Sequence, residues 1–356
     1  MQAVIVAGGM GTRLRPLTQH RPKHLLAVAG VPFVAHQIAK LAAAGVDRVV
    51  LATSYHADLF EPVLGDGAHW GLELAYVTEA EPLGTAGAIR NAASELASDN
   101  ADPIVILNGD ILSGHDLRAQ VDHHREHGAD VTLHLVEVDD ARAYGCVPTA
   151  DDGTVKAFLE KSPDPVSRQV NAGCYLFERD VLDSIPAGRA VSVERETFPD
   201  LLVAGRGLSG YVEQAYWLDV GTPAALSRAS SDLVRGAVTS PAYLQAPGEA
   251  WIHPDAAMSA TASVCGGTAV GAGARVGDGA VLESSVIDEG AAIDSHARLV
   301  DCVVGPAARI GRDVVLTGVA VGDRAVIGAG CELVDGARIW CDAEIGPGAI
   351  RFSSDV

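Results

Sequence analysis

The 356-residue chain is long enough for two domains and carries a net charge of −20. That charge argues against a general nucleic-acid or anionic-membrane partner, since either would want a basic patch. Six scattered cysteines with no C-x-x-C pair suggest neither a zinc site nor a disulfide framework, and fit reduced thiols in a cytoplasmic protein.

The chain opens on an apolar run, Ala3–Val6, too short for a signal peptide and without a basic segment before it. No stretch approaches the roughly 20 apolar residues of a membrane span. Ala3–Val6, Val49–Ala52, Leu74–Val77, Ile104–Leu107 and Val131–Val136 read as strands. Val34–Ala44, Thr85–Ala97 and Leu117–His127 read as helices. Strand–helix alternation at this spacing predicts an α/β fold with a mostly parallel, Rossmann-like sheet covered by helices. Such sheets place ligands at the carboxyl ends of their strands, where the first glycine-rich loop falls.

Gly236–Trp251, with Pro241 and Pro247, reads as a linker between an N-terminal domain over 1–235 and a second domain over 252–356. In the second domain helical periodicity is gone. Aliphatic residues recur every six: Ile252, Met258, Val264, Val270, Val276, Leu282. Five-residue steps then begin at Leu282, Leu299 and Leu316, which lie 17 apart. Three near-hexads per 17 residues describe a three-sided coil that returns to register each turn, a parallel β-helix of hexapeptide repeats.

The chemistry-bearing segments begin with Ala7-Gly8-Gly9-Met10-Gly11-Thr12-Arg13, which continues to Arg21-Pro22-Lys23. Glycines let the backbone approach a polyphosphate, so that successive N–H groups point at its oxygens. The loop lacks the G-K-[ST] of a Walker loop and the spacing of a dinucleotide fingerprint. Only 4 of the 26 basic residues are lysines (Lys23, Lys40, Lys156, Lys161). A lysine retained at position 23 points to a compact ammonium on a phosphate oxygen. Leu107-Asn108-Gly109-Asp110 ends a strand with a carboxylate, a natural Mg²⁺ ligand, and Trp217-Leu218-Asp219-Val220-Gly221-Thr222 offers a second. Glu160-Lys161 taken alone is a surface ion pair. His123, His124 and His127 have helical spacing and read as a solvated helix face, since no acidic partner frames them. Tyr144 and Trp217 fit either a stacking role or a core role. His24, directly after Lys23, reads as a packed or solvent-facing histidine.

Taken together, these segments resemble the sugar-1-phosphate nucleotidyltransferase family, or nucleotide-sugar pyrophosphorylases, over nearly the whole chain, including a C-terminal left-handed β-helix. Pro82-Leu83-Gly84-Thr85-Ala86-Gly87 and the terminal Ile350–Val356 are most similar to bacterial two-domain mannose-1-phosphate guanylyltransferases. The resemblance implies that Ala7, Gly8, Gly9, Gly11 and Thr12 hold nucleotide phosphates, with Asn108 and Gly109 beside them. It implies that Glu79, Gly84, Thr85 and Ala86 face base and ribose. Arg13 and Lys23 would neutralise charge at the reacting phosphorus, and Asp110 and Asp219 would bind Mg²⁺. Gly145, Glu160, Lys161, Asn171, Gly173 and Trp217 would receive the sugar phosphate. The implied reaction joins a nucleoside triphosphate, GTP for the nearest subfamily, to a hexose 1-phosphate such as mannose 1-phosphate. Glucose 1-phosphate with UTP, dTTP or ATP stays open, as does a catalytically silent regulatory subunit. An acyltransferase would need His253 or His296 at a coil interface. A homo-oligomer is expected from the flat faces of the β-helix.

Overall fold

The computed structural model describes residues 1–97, 102–334 and 336–351. Of the terminal run Ile350–Val356, residues 352–356 lie outside the described set. The chain folds into two compact units. One comprises Met1–Gly9 and Gln37–Trp217, the other Met10–His36 and Leu218–Val356. This division differs from a boundary at the linker alone, because Met10–His36 packs with the C-terminal residues.

The first unit is built on a nine-stranded sheet. Its parallel part orders Ile104–Asn108, Gln2–Ala7, Arg48–Thr53 and Glu73–Thr78. Ala3, Val4, Ile5, Val49, Val50 and Leu51 are fully buried. Continuous apolar runs of this kind belong to strands covered on both faces. The expected strands are all present, and Leu117–His127 is a helix as expected. Its Asp116 side chain caps Arg118 and Ala119 N–H, and Gly128 ends it in the left-handed conformation. The expected helix over 85–97 is shorter, Gly84–Ala92 followed by one 3-10 turn.

The sheet also has an antiparallel side. Gln169–Phe177 pairs antiparallel with both Ile104–Asn108 and Val131–Glu137, and Leu208–Val212 adds parallel to Val131–Glu137. A register shift between Asn171 and Tyr175 interrupts this long strand at Gly173, whose φ is +77°. The irregularity sets four residues of this strand against two of its partner, so Val170, Ala172, Cys174 and Leu176 keep their alternation through it.

The second unit holds the left-handed parallel β-helix. Its strands stack in three parallel sheets of six, six and five. The sheets bring into line Val270, Ile287, Val304, Val321 and Ile339 on one side, Val276, Ile293, Ile310 and Ile327 on the next, and Leu282, Leu299, Leu316 and Leu333 on the third. These hexad positions are all buried, whereas at the first coil Ile252 is exposed and Met258 and Val264 are half-buried. The helix Pro223–Val234 packs in the same unit, with its Ser227 hydroxyl donating to Ser284 O. Among the described residues, no helix is long and apolar enough to cross a membrane.

Because each coil shares its core with the coils above and below, truncation inside the stack leaves a cavity with little freedom to collapse. Leu299→Ala is expected to cost about 2–5 kcal/mol, read as a lowered denaturant midpoint of the C-terminal unit. A shift equivalent to under about 0.5 kcal/mol, the range of neutral surface changes, would contradict this packing.

Candidate active site

In the first unit, the strand Gln2–Ala7 delivers Gly8 and Gly9 at its carboxyl end. The Ser54 hydroxyl donates to Gly8 O and fixes the start of the loop. A Cβ on Gly8 would crowd Ser54 Oγ at 3.1 Å and come into ordinary contact with Glu79 Oε2 at 3.7 Å. Glu79 is 9% exposed. Its Oε2 accepts from Leu83 N–H at 3.1 Å, while its buried Oε1 has no hydrogen-bond partner among the described residues. Burial pushes the Glu79 carboxyl up from its ordinary value, against the pull of the Leu83 N–H.

Gly84 takes a φ of +69°, and a Cβ there would come to 2.6 Å from Val191 O. Ala86 N–H donates to Val191 O, and the Thr85 hydroxyl donates to Glu194 and accepts from Val193 N–H. Thr85 thus braces the 191–194 segment in addition to any role beside a nucleotide.

The Asn108-Gly109-Asp110 turn is held from behind. Gly109 N–H donates to Val6 O. The Gln37 amide donates to Asn108 O and Ile111 O, both at 2.9 Å, and so brackets Gly109 and Asp110. One turn further along the helix Phe33–Ala43, Lys40 Nζ donates to Ser113 O at 2.8 Å and to His115 Nδ1 at 2.9 Å. Sequence reading missed both residues. The retained lysine at 40 was the available signal, but its partners lie more than 70 residues away.

The expected sugar-phosphate residues gather in the same unit. Gly145 faces Glu160 across an antiparallel pair, and a Cβ on Gly145 would come to 2.9 Å from Glu160 Oε2. Lys161, at φ +50°, is largely exposed and lies 3.8 Å from Glu160 Oε1. A Cβ on Gly173 would come to 3.1 Å from the Asn108 side chain, so the bulge brings these two expected residues side by side. Asn171 donates to Tyr175 Oη at 2.7 Å and accepts from Gly173 N–H at 3.0 Å. Its amide therefore shapes the bulge. Trp217 donates to Ala172 O and meets Tyr144 edge-on at 5.2 Å.

In the second unit, Gly11 adopts the left-handed conformation, φ 60°. Its carbonyl accepts from Thr18 Oγ1 and Leu14 N–H, each at 2.9 Å, and closes a 3-10 turn over Thr12–Leu14. A Cβ on Gly11 would lie 3.1 Å from the Lys23 side chain, so the glycine lets Lys23 approach the loop backbone. Arg13 Nη2 lies 3.7 Å from Asp219 Oδ2. A Cβ on Gly221 would collide with the Arg13 guanidinium and come to 2.8 Å from Asp219 Oδ1. Gly221 is therefore what allows this cation and carboxylate to share one place. His24 is buried.

Asp110 in the first unit and Asp219 in the second each offer hard oxygen donors of the kind Mg²⁺ takes, since it binds through one or two carboxylates and leaves other positions to phosphate and water. The three helical histidines do not form one solvated face as expected. His124 is buried, bonded to Thr132 and Glu178, while His123 meets Ser209. His253 packs edge-on to Trp251, and His296 sits at a coil corner with φ 60°.

The family model described as Nucleotidyl transferase matches residues 2–236, and one described as GMPPB C-terminal domain matches residues 246–345. The chain is 50% identical to a mannose-1-phosphate guanylyltransferase of Mycobacterium tuberculosis, across 100% of this chain and 99% of that protein. It is 39% identical over 225 residues to mannose-1-phosphate guanylyltransferase 1 of Arabidopsis thaliana, 63% of this chain and 62% of that one. Among solved structures, a putative glucose-1-phosphate thymidylyltransferase from Bacillus anthracis is similar with a TM-score of 0.59 and 26% identity, over 65% of this chain and 94% of that one. HddC from Yersinia pseudotuberculosis, solved with GMP-PN, is similar with a TM-score of 0.55 and 28% identity, over 65% and 98%.

Two outcomes follow from this geometry. Gly221→Ala should lower turnover at least tenfold, of the order expected when a catalytic group is misplaced by about an ångström, with little change in thermal midpoint. Wild-type turnover in that variant would remove the Arg13–Asp219 contact from the site. Burial pushes the Lys40 ammonium down to about 8. Above that pH and below the usual lysine value, the unfolded chain binds a proton that the folded chain lacks, so stability should rise with pH. Lys40→Met should flatten that rise, measured by urea unfolding across the alkaline range; an identical slope in both proteins would contradict the assignment.

Proposed function

The chain belongs to the nucleotidyl transferase family, and from that premise we propose that it is a mannose-1-phosphate guanylyltransferase. It takes a nucleoside triphosphate and a sugar 1-phosphate as substrates. A phosphate oxygen of mannose 1-phosphate attacks the α-phosphorus of GTP. The new phosphorus–oxygen bond forms as the bond to the β-phosphate breaks, giving GDP-mannose and pyrophosphate.

No side-chain nucleophile is needed, so catalysis rests on positioning and charge neutralisation. The N–H groups of the Gly8–Thr12 loop cradle the triphosphate. Arg13 and Lys23 meet the charge that grows on the α- and leaving phosphates. Asp110 and Asp219 would hold Mg²⁺, which when bound neutralises phosphate oxygens. Glu160 accepts from sugar hydroxyls, and Lys161 meets the phosphate of the sugar.

The choice of base rests on the 50% identity, over the whole chain, to a mannose-1-phosphate guanylyltransferase, and Glu79 supports it. Its Oε2 accepts from Leu83 N–H and lies near Gly8, while its buried Oε1 has no partner among the described residues and can accept a hydrogen bond from a base. Guanine offers a ring N–H and an adjacent amino group on one edge.

Three substitutions test this reading. Lys23→Ala should reduce turnover by about 10²–10³, as for the loss of one preorganised donor; a loss under about tenfold in folded protein would take Lys23 out of the mechanism. Asp110→Asn should raise the Mg²⁺ concentration needed for half-maximal rate, and an unchanged titration would reassign the metal site. Glu79→Gln should lower kcat/KM for GTP by roughly tenfold or more relative to ATP, the scale on which a site discriminates by hydrogen bonds. Equal losses for both nucleotides would separate Glu79 from base choice.

A further inference from the structure

Arg21 stands two residues before Lys23 and is tied to the β-helix. Its Nη1 lies 3.2 Å from Asp288 Oδ2 and its Nη2 lies 2.8 Å from Asp323 Oδ2. The carboxylates are 267 and 302 residues away in sequence, yet all three side chains belong to the same compact unit. Each guanidinium nitrogen takes one acid, and the fork spans two coils with a third between them.

The corner that receives Arg21 is built for it. The paired aliphatics Val270, Ile287, Val304 and Val321 place Gly271, Asp288, Gly305 and Gly322 in one column. Glycine suits this column because a Cβ would strike the backbone of the next coil, as at Gly271, where Glu289 N would be 3.0 Å away. Asp288 is a carboxylate in that row of glycines. Its Oδ1 accepts from Glu289 N–H at 2.9 Å, which leaves Oδ2 for Arg21. Gly305, on the intervening coil, keeps the space clear; a Cβ there would come to 2.9 Å from Asp323 Oδ1. Asp323 is 4% exposed.

Buried charges of this kind add little net stability, because their desolvation offsets their attraction. What they add is direction, since the planar guanidinium fork fits two fixed acceptors in one orientation only. The orientation passes on along a short path. Pro22 follows Arg21 with φ −67°, and Lys23 then opens the 3-10 turn Lys23–Leu25. The ring of Pro22 fixes one backbone torsion between the anchored arginine and the lysine, and its bulk holds Arg21 away from the helical region. Upstream, Arg338 donates to Arg15 O, and the Cys341 thiol lies 3.6 Å from Pro16 O. Downstream, the Trp251 ring covers Gly30, and a Cβ there would collide with it.

We propose that the β-helix is a positioning element for the phosphate loop, with Asp288 and Asp323 clamping Arg21 so that Pro22 presents Lys23 in its working place. This rests on the phosphate-binding role given to Lys23 above. Asp288 and Asp323 act through Arg21 and are positioning residues.

The test uses full-length Asp288→Asn, Asp323→Asn and the double variant. Hydrogen exchange reads the clamp without any need for activity. Amides of Leu14, Leu17, Leu25 and Leu26, bonded within the loop segment, should exchange at least tenfold faster, while β-helix amides such as Arg298 and Arg309 keep their rates. Steady-state kinetics with GTP and mannose 1-phosphate should show kcat/KM lowered about ten- to a hundredfold, the cost of a misplaced catalytic group. In a Lys23→Ala background the same pair of changes should add less than about threefold, because residues that act through one group are not additive.

Unchanged loop exchange overturns the proposal. So does a kcat/KM within twofold of the parent, or a loss that multiplies fully onto that of Lys23→Ala. Should the double variant not fold, the single variants are held to the same outcomes at smaller amplitude. If the parent turns over no substrate pair, the functional reading fails, and loop exchange alone decides whether the clamp exists.

Discussion

A chain of net charge −20 that handles triphosphates must place its cations and backbone donors against electrostatic pressure, and glycines in each compact unit make room for them. In the first, Gly8 yields its side-chain space to Ser54; in the second, Gly11 yields to Lys23 and Gly221 to the Arg13–Asp219 contact. Each glycine marks where backbone or a charged group has to come closer than a Cβ permits. The strand-end carboxylate is braced from behind too, by the Gln37 amide that brackets the Asp110 turn.

Much of this was legible in the sequence because the signals are local. The β-helix is written in an aliphatic every six residues, and from Val270 to Ile339 those residues are the buried columns of the three sheets, while Ile252 at the open first coil is exposed and Met258 and Val264 are half-buried. The parallel strands are short apolar runs at regular spacing. The glycine-rich loop and the two strand-end aspartates are short contiguous segments, while the proposed sugar-phosphate residues entered through the family resemblance.

What sequence did not disclose is long-range or irregular. The strand Gln169–Phe177 carries a register shift between Asn171 and Tyr175, and its pairing with Ile104–Asn108 and Val131–Glu137 joins segments far apart in the chain. Gln37 and Lys40 look like ordinary polar positions on an amphipathic helix until their carbonyl partners are known. His124 falls on a polar helix face by spacing, yet turns inward to Thr132 and Glu178. The grouping of Met10–His36 with the C-terminal residues depends on partners such as Asp288 and Asp323, some 300 positions away. No periodicity reports a contact of that kind.

The account as a whole turns on the reaction and its substrates. The most direct measurement is magnesium-dependent pyrophosphate release, with GTP, ATP, UTP and dTTP each crossed against mannose 1-phosphate and glucose 1-phosphate. The account predicts clear preference for GTP with mannose 1-phosphate. Preference for another pair would contradict the reading of Glu79, and no release from any pair by folded protein would contradict the assignment of catalysis itself.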